Sequence, residues 1–277
     1  MSMDNIKLEG SISLGNPSTV STVDYNCSKK IENEEAFIKH SSRSITGMLY
    51  KGVKRLFDII FSSILLILSS PLWLIAVIGI RISNPGPVFY IAFRVGMGGK
   101  AFQMYKFRSM QVDNGANEKS LRPDVNRVFR FGAFLRTTKI DELPQILNIF
   151  LGQMTVVGPR PAAKDQTNIT RCGKYKAIYG VKVGLTSPSA LYDYIYGDKI
   201  ADDDEYNVKV LPTRLDLDLY YLSKRGPLYD LKIIFYTAYC FTLSLFLVQP
   251  KKIYNELVNA AMEVQERNKT SMETINA

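Results

Sequence analysis

Residues Ile59 to Ile80 read IIFSSILLILSSPLWLIAVIGI, a run without a single charge. A helix wound from this stretch is apolar on every side, so it is built for lipid or for a deep core, and about 20 such residues suffice to cross a bilayer. Ser69-Ser70-Pro71 falls near its middle. Proline removes one backbone hydrogen bond and crowds the preceding turn, so it kinks or breaks a helix. Neighbouring serines can satisfy the freed carbonyls inside lipid. The two halves are about 12 and 9 residues, or roughly 18 and 14 Å at the helical rise. Neither crosses a hydrocarbon core about 30 Å thick. Both flanks are basic, with Lys51, Lys54 and Arg55 before the run and Arg81, Arg94, Lys100, Lys106 and Arg108 after it. Basic flanks favour the cytoplasmic side. The segment therefore reads as a re-entrant helix-break-helix that dips into the membrane and returns, with a kinked single-pass anchor as the alternative.

The rest of the chain is of a different character. Over 277 residues it is 46% hydrophobic and 22% charged, which excludes both a disordered chain and a polytopic transporter. The net charge of +9 is concentrated: residues 51–160 carry 15 basic and 6 acidic groups, whereas the segments on either side are close to neutral. Such an excess implies an anionic partner, whether nucleic acid, an acidic membrane surface or a phosphorylated substrate, unless it is merely a solvated face. Cys27, Cys172 and Cys240 have neither the number nor the spacing of a disulfide framework or a zinc site and read as reduced thiols. His40 is the only histidine and lies in a polar stretch, which argues against a histidine base, a His-ligated metal or a Ser-His-Asp triad.

The organisation read from these patterns is a polar, largely disordered tail over 1–48 without a secretory signal, the membrane helix over 49–82, a body over 83–250, and an amphipathic helix and tail over 251–277. After the turn Asn84-Pro85-Gly86-Pro87, the runs Val88–Arg94 and Ala101–Phe107 read as a hairpin around Gly96, Gly98 and Gly99. The Gly96-x-Gly98 spacing imitates a dinucleotide fingerprint, but a strand-like run follows where that motif needs a helix, so this reading is rejected. Asp113 to Arg130 is polar and loop-like. Leu143, Ile146, Leu147 and Phe150 lie on one face of a helix, with Pro144 in its first turn and Gly152 at its C-cap. Met154–Val157 suits a short buried strand ended by Gly158-Pro159-Arg160-Pro161. The uncharged Ile233–Gln249 reads as a helix at the membrane interface or packed on the body, a second short span being the alternative. In Lys251–Arg267 the apolar positions are 254, 257, 258, 261 and 262. The fold class is mixed α/β (α+β), helix-rich, with the membrane segment and interfacial amphipathic helices attached.

Asp141 and Glu142 stand at a helix start within the basic stretch. Helix capping is the simpler reading from spacing alone. Their company suggests chemistry: Lys106, Arg108, Arg136 and Arg160 sit at element ends around them. Arginine forks hold phosphate oxygens and stabilise developing charge. Mg²⁺ characteristically takes one or two carboxylates plus substrate phosphates, and a carboxylate can then attack phosphorus, as aspartyl-phosphate enzymes do. An Asp, a Glu and several cations thus suffice for phosphoryl transfer without histidine.

These residues fall in an ordered series: Lys54-Arg55-x-x-Asp58, Ser70-Pro71, Gly86-Pro87-Val88-Phe89, Arg94-Val95-Gly96, Lys106-Phe107-Arg108-Ser109-Met110, Leu135-Arg136, Asp141-Glu142-Leu143-Pro144-Gln145, Asn148, Gly152-x-Met154 and Val157-Gly158-Pro159-Arg160-Pro161. From about Lys54 to about Thr242 the chain resembles the bacterial sugar transferases, the monotopic polyprenyl-phosphate phosphoglycosyl transferases that start surface-glycan assembly. The resemblance implies that Asp141 attacks the sugar-linked phosphate of a UDP-sugar, UMP leaves, and a polyprenol phosphate takes the phosphosugar from Asp141. It implies Glu142 as the acid/base or metal-site partner and Mg²⁺ as cofactor on Asp141. It further implies Arg136 and Arg160 at the phosphates, with Lys106 and Arg108 as further phosphate contacts and Asp218 as a weaker site candidate. It places the protein on the cytoplasmic face of the bacterial inner membrane, in contact with its lipid, with a homodimer as a further expectation. Two stretches depart from the family pattern. Ala92-Phe93 stands where a Gln-containing pair is common, and Val183-Gly184-Leu185-Thr186-Ser187 where Pro-Gly-Ile-Thr-Gly is usual. A non-catalytic membrane adaptor of a glycan-assembly complex is the alternative function, disfavoured by the intact acidic pair. A nucleic-acid partner is not expected, because no groove-reading or base-stacking module is present.

Overall fold

The computed structural model describes residues 45–112, 127–200, 202–245 and 248–276. The readings that fall on the N-terminal tail, on His40 and Cys27, and on most of the Asp113–Arg130 loop lie outside these residues. Neither Cys172 nor Cys240 forms a disulfide among the described residues.

Helix α1 runs without interruption from Ile45 to Ser83, with Pro71 inside it. The break expected at Ser70-Pro71 is not there: the helix continues through Pro71, because one side-chain bond replaces the backbone bond that proline loses. Pro71 cannot donate to the carbonyl of Ile67, and the Ser70 hydroxyl donates to it instead at 2.8 Å. Trp73 Nε1 donates to Ser69 Oγ one turn away at 3.1 Å. Both ends of α1 are tied to the body. On its first half, Arg55 donates to the carbonyls of Ile149 and Phe150 at 2.7 and 2.8 Å, and Phe61 packs on the main core. Further along, Trp73, Ala76, Val77 and Ile80 pack with Val88, Phe107, Phe129 and Leu135 in a second, smaller core. Between them Ile64, Ile67 and Leu68 are exposed.

Strands β1 (Phe89–Val95) and β2 (Ala101–Phe107) form the expected antiparallel hairpin, Phe89 opposite Phe107 and Val95 opposite Ala101. Its turn places Gly98 and Gly99 at φ +69° and +72°, a region that glycine enters at little cost. Helix α2 (Arg130–Thr137) follows, packed so closely that a Cβ at Gly132 would lie 2.1 Å from the Ser109 carbonyl oxygen. Helix α3 (Gln145–Phe150) leads to β3 (Thr155–Val157). The two-residue β4 (Ala162–Ala163) pairs with the end of β1, giving a sheet of order β2-β1-β4. After α4 (Thr167–Thr170), β5 (Gly184–Thr186) pairs in parallel with β3. Ser187 then caps α5 (Pro188–Ile195), its hydroxyl accepting from the Ala190 amide at 2.9 Å. The departure Val183–Ser187 is therefore a buried strand and a helix cap.

Four helices close the body: α6 (Asp203–Lys209), α7 (Leu211–Lys224), α8 (Pro227–Leu245) and α9 (Lys251–Asn276). Helix α8 buries Ile233 and Cys240 against the body and leaves Leu228, Leu231, Phe235 and Tyr239 exposed. Only α1, among the described residues, is long and apolar enough to cross a membrane. In α9 the buried stripe is Ile253, Leu257, Ala260, Ala261 and Val264, with Met262 turned outward. Four of the five expected apolar positions thus face the core, Leu257 and Ala261 buried and Tyr254 and Val258 packed against it, and only Met262 departs from the pattern.

The α3 face also differs from expectation. Ile146 is buried as anticipated, but Phe150 is exposed, and Asn148 and Ile149 are fully buried where the pattern did not place them. Asn148 accepts from the Tyr105 amide at 3.0 Å and donates to the Gln103 carbonyl at 2.6 Å. Strand β2 lies at the edge of its sheet, and this side chain satisfies backbone groups that a further strand would otherwise take. Holding Asn148 there turns Phe150 outward.

Candidate active site

The turn Ile140–Glu142, a short 3-10 helix just ahead of α3, carries the acidic pair. Neither carboxylate caps α3, where Pro144 occupies the N-cap without a side-chain bond. The simpler reading of the pair is therefore set aside. The preceding Lys139 has φ +54°, the one positive φ outside glycine among the described residues. A left-handed backbone with a Cβ costs about 1–2 kcal/mol, and such strain collects at functional sites. The opposite end of α3 is fixed by the Arg55 bonds to its last carbonyls. A Cβ at Gly152, whose φ is +83°, would crowd that guanidinium.

Asp141 is 7% exposed, and its Oδ1 is buried with no hydrogen-bond partner among the described residues. Burial first, and the neighbouring Glu142 charge second, push its carboxyl up to about 6 against the pull of Lys106, Arg136 and Lys139. Glu142 has the opposite fate. Burial would raise it, but Lys106, Arg160 and Lys139 outweigh burial and hold its carboxyl well below the ordinary range. Lys106 Nζ contacts Glu142 Oε1 at 2.9 Å. Two adjacent acids thus differ: one ionised and ion-paired, the other poised near neutrality with a free oxygen.

Of the four expected phosphate contacts, the structure gathers three. Lys106 at the end of β2, Arg136 at the end of α2 and Arg160 after β3 all act on the acidic pair. Arg108 goes elsewhere. It is 5% exposed, donates to Asn84 Oδ1 at 2.6 Å and to the Asn84 carbonyl, and its guanidinium lies 5.8 Å from the Phe129 ring. It closes the turn after α1, because the chain turns away immediately after Phe107. Lys139 takes the fourth place, a residue whose type and spacing gave no signal.

Arg160 is 43% exposed at its side chain while its backbone is gripped from behind. Arg171 donates to its carbonyl at 2.7 Å, and Asp218 accepts from its amide. Arg171 and Asp218 are themselves almost fully buried. Asp218, the weaker candidate, is thus placed behind Arg160 rather than beside the acidic pair. Asp193, which sequence reasoning did not single out, lies 3.9 Å from the Arg160 guanidinium and accepts from Tyr206 at 2.7 Å. Ser70 and Pro71 stand apart, within the exposed middle of α1.

Among the described residues no three His, Cys, Asp or Glu side chains converge as a metal cage. Asp141 and Glu142 offer two carboxylates, one with an unsatisfied oxygen. This donor set fits a hard divalent cation that draws its remaining oxygens from a substrate diphosphate.

Residues 49–244 match the family model described as bacterial sugar transferase. Over 189 residues the chain is 36% identical to the UDP-glucose:undecaprenyl-phosphate glucose-1-phosphate transferase of Xanthomonas campestris pv. campestris, covering 67% of this chain and 38% of the relative. The protein of the same name from Klebsiella pneumoniae is 37% identical over 190 residues, 67% of this chain and 39% of the relative. A UDP-N-acetylgalactosamine-undecaprenyl-phosphate N-acetylgalactosaminephosphotransferase of Aeromonas hydrophila is 31% identical over 190 residues, 68% of this chain and 43% of the relative. The chain therefore spans about two fifths of the length of these curated relatives.

Proposed function

From the premise that this chain belongs to the bacterial sugar transferase family, we propose that it moves a sugar-1-phosphate from a UDP-sugar to a polyprenyl phosphate at the cytoplasmic face of the inner membrane, as the first step of a surface glycan. The observation that carries this reading is the buried Oδ1 of Asp141, without a partner among the described residues, amid Lys106, Arg136, Lys139 and Arg160. An adaptor would gain stability by satisfying or removing that oxygen, whereas a nucleophile needs it free.

In the proposed reaction the Asp141 carboxylate attacks the sugar-linked phosphorus of the donor. The bond from that phosphorus to the bridging oxygen breaks, and UMP leaves with the bond pair. The phosphosugar remains as an acyl phosphate on Asp141 until an oxygen of the polyprenyl phosphate attacks the same phosphorus and displaces the carboxylate. Lys106, Arg136 and Arg160 hold the phosphate oxygens and stabilise the charge that builds on them. A carboxyl near pH 6 is mostly ionised at neutral pH yet keeps basicity that a lower one would lose. Glu142, held ionised, is unsuited to act as an acid, which favours the cation-sharing half of its expected role. Mg²⁺ bound by Asp141 and Glu142 would screen the diphosphate and polarise its oxygens.

The same reading treats α1 as re-entrant, with its exposed middle around Ser70-Pro71 in the membrane and both flanks on the cytoplasmic side. Phe61 and Trp73 both touch the body, and the residues between them span roughly 16 Å at 1.5 Å per residue, about half a hydrocarbon core. The exposed Leu228, Leu231, Phe235 and Tyr239 of α8 would lie in the interface beside it.

The test is UMP release from UDP-glucose and UDP-N-acetylgalactosamine by membranes carrying the protein, with Mg²⁺ and polyprenyl phosphate. Release by the parent and none by Asp141→Asn is expected. Full turnover by that variant removes the proposal.

A further inference from the structure

Lys139 is poised against a second set of groups on the rim of the site. Its Nζ lies 3.2 Å from Asp198 Oδ2 and 5.0 Å from the centroid of the Tyr194 ring. Tyr194 belongs to α5, and Asp198 to the turn Gly197–Lys199 just beyond it. The ring is pinned from its far end, because the Tyr194 hydroxyl donates to Ser244 Oγ of α8 at 2.6 Å. The same ammonium acts on Asp141 and Glu142. One side chain, launched from a left-handed backbone two residues before Asp141, thus contacts the α5 rim while its charge acts on the acidic pair.

We propose that Asp198 and Tyr194 form the surface that reads the sugar of the donor, and that Lys139 covers this surface until the donor's diphosphate draws the ammonium away. The inference rests on the UDP-sugar reading above and deepens it. The Lys139 and Asp198 side chains are 39% and 53% exposed, so their ion pair is weakly held and open to exchange. A diphosphate carries more charge than one carboxylate and forms stronger charge-assisted bonds, so it is the preferred partner. When Lys139 moves to the phosphates, a carboxylate and a fixed aromatic face are left beside the reacting phosphorus. The carboxylate accepts hydrogen bonds from sugar hydroxyls, and the ring packs against the apolar face of the pyranose. Asp193 does not share this role, since Tyr206, Arg214 and Arg160 already engage it. Asp198 has Lys139 as its ion-pair partner, with Arg160 acting on it only at longer range.

Exchange of partners separates the effects of two substitutions in the full-length protein. With Asp198→Asn, the preference between UDP-sugars differing at one hydroxyl should fall by about tenfold. UDP alone should bind several-fold more tightly, because Lys139 no longer has to leave an anion. With Lys139→Met, UDP and UDP-sugars should bind several-fold more weakly while the order of sugar preference stays, and Lys139→Arg should restore binding. Both positions are half-exposed, so the melting temperatures should match the parent. If Asp198→Asn leaves both sugar preference and UDP affinity within about twofold of the parent, the inference is wrong. A parent that releases UMP from no UDP-sugar refutes the underlying reaction instead, so the two failures are distinguishable.

Discussion

Asp58 and Asp141 are both buried carboxylates in a basic stretch, 2% and 7% exposed, and they do opposite things. Asp58, on α1, accepts from the Thr155 hydroxyl and the Val156 amide, each at 2.9 Å, and so ties the apolar helix to β3. Asp141 leaves an oxygen with no partner among the described residues, and its carboxyl is pushed up to about 6. A buried charge that is hydrogen-bonded belongs to the architecture; one that is not is kept for some other purpose. The pair teaches that burial alone does not mark a reactive acid, whereas burial without satisfaction does.

The comparison breaks most decisively at Asp141. Asp141→Asn should lower UMP release by at least about 10⁴-fold, the scale of losing a covalent nucleophile. It should also stabilise the protein at pH 7. The native carboxyl binds its proton up to about pH 6, whereas an unfolded aspartate has already released it. Between these two pKa values the native state holds more protons than the unfolded one, so stability falls as pH rises. At neutral pH that penalty is about 2–3 kcal/mol, and the asparagine removes it. Thermal unfolding of parent and variant at pH 7 checks the sign.

Asp58→Ala should do the reverse. It strands a buried amide and hydroxyl and should cost about 2–4 kcal/mol, with catalysis per folded molecule preserved, read from denaturant unfolding and from UMP release normalised to folded protein. Arg108→Gln extends the contrast to the cations. It should cost about 1–3 kcal/mol through the Asn84 turn without raising the KM for the UDP-sugar, whereas Arg136→Gln should raise that KM. The smallest effect is on pH. Below about pH 6 the rate should fall as Asp141 takes up its proton. In Glu142→Gln a neighbouring negative charge is gone and Lys106 is released, so Asp141 ionises more easily and the acid limb should move to lower pH.

Much of this was legible in the chain. Pattern alone gave the β1–β2 hairpin, the uncharged run Ile59–Ile80 of α1, the serine repair of Pro71 and the turn at Gly152, because each depends on local chemistry. The acidic pair was legible as a candidate, and its role came from the ordered motifs around it. What escaped depended on tertiary contacts. Arg108 and Arg136 are indistinguishable as letters, and only the turn after Phe107 sends one to Asn84. Asn148 stood in the motif series without a role of its own, and the free edge of β2 beside it supplies one. Lys139 carried no signal, since neither its positive φ nor its reach to Asp198 is written in its neighbours.

The central claim is that the free oxygen of Asp141 becomes esterified by the donor's phosphorus. It is tested most directly by incubating the purified protein with UDP-sugar and Mg²⁺ but no polyprenyl phosphate, quenching, and weighing the peptide that contains residue 141. The account predicts a phosphosugar increment on that peptide, absent from Asp141→Asn and discharged when polyprenyl phosphate is added. An unmodified peptide from protein that goes on to turn over when the acceptor is supplied would contradict it.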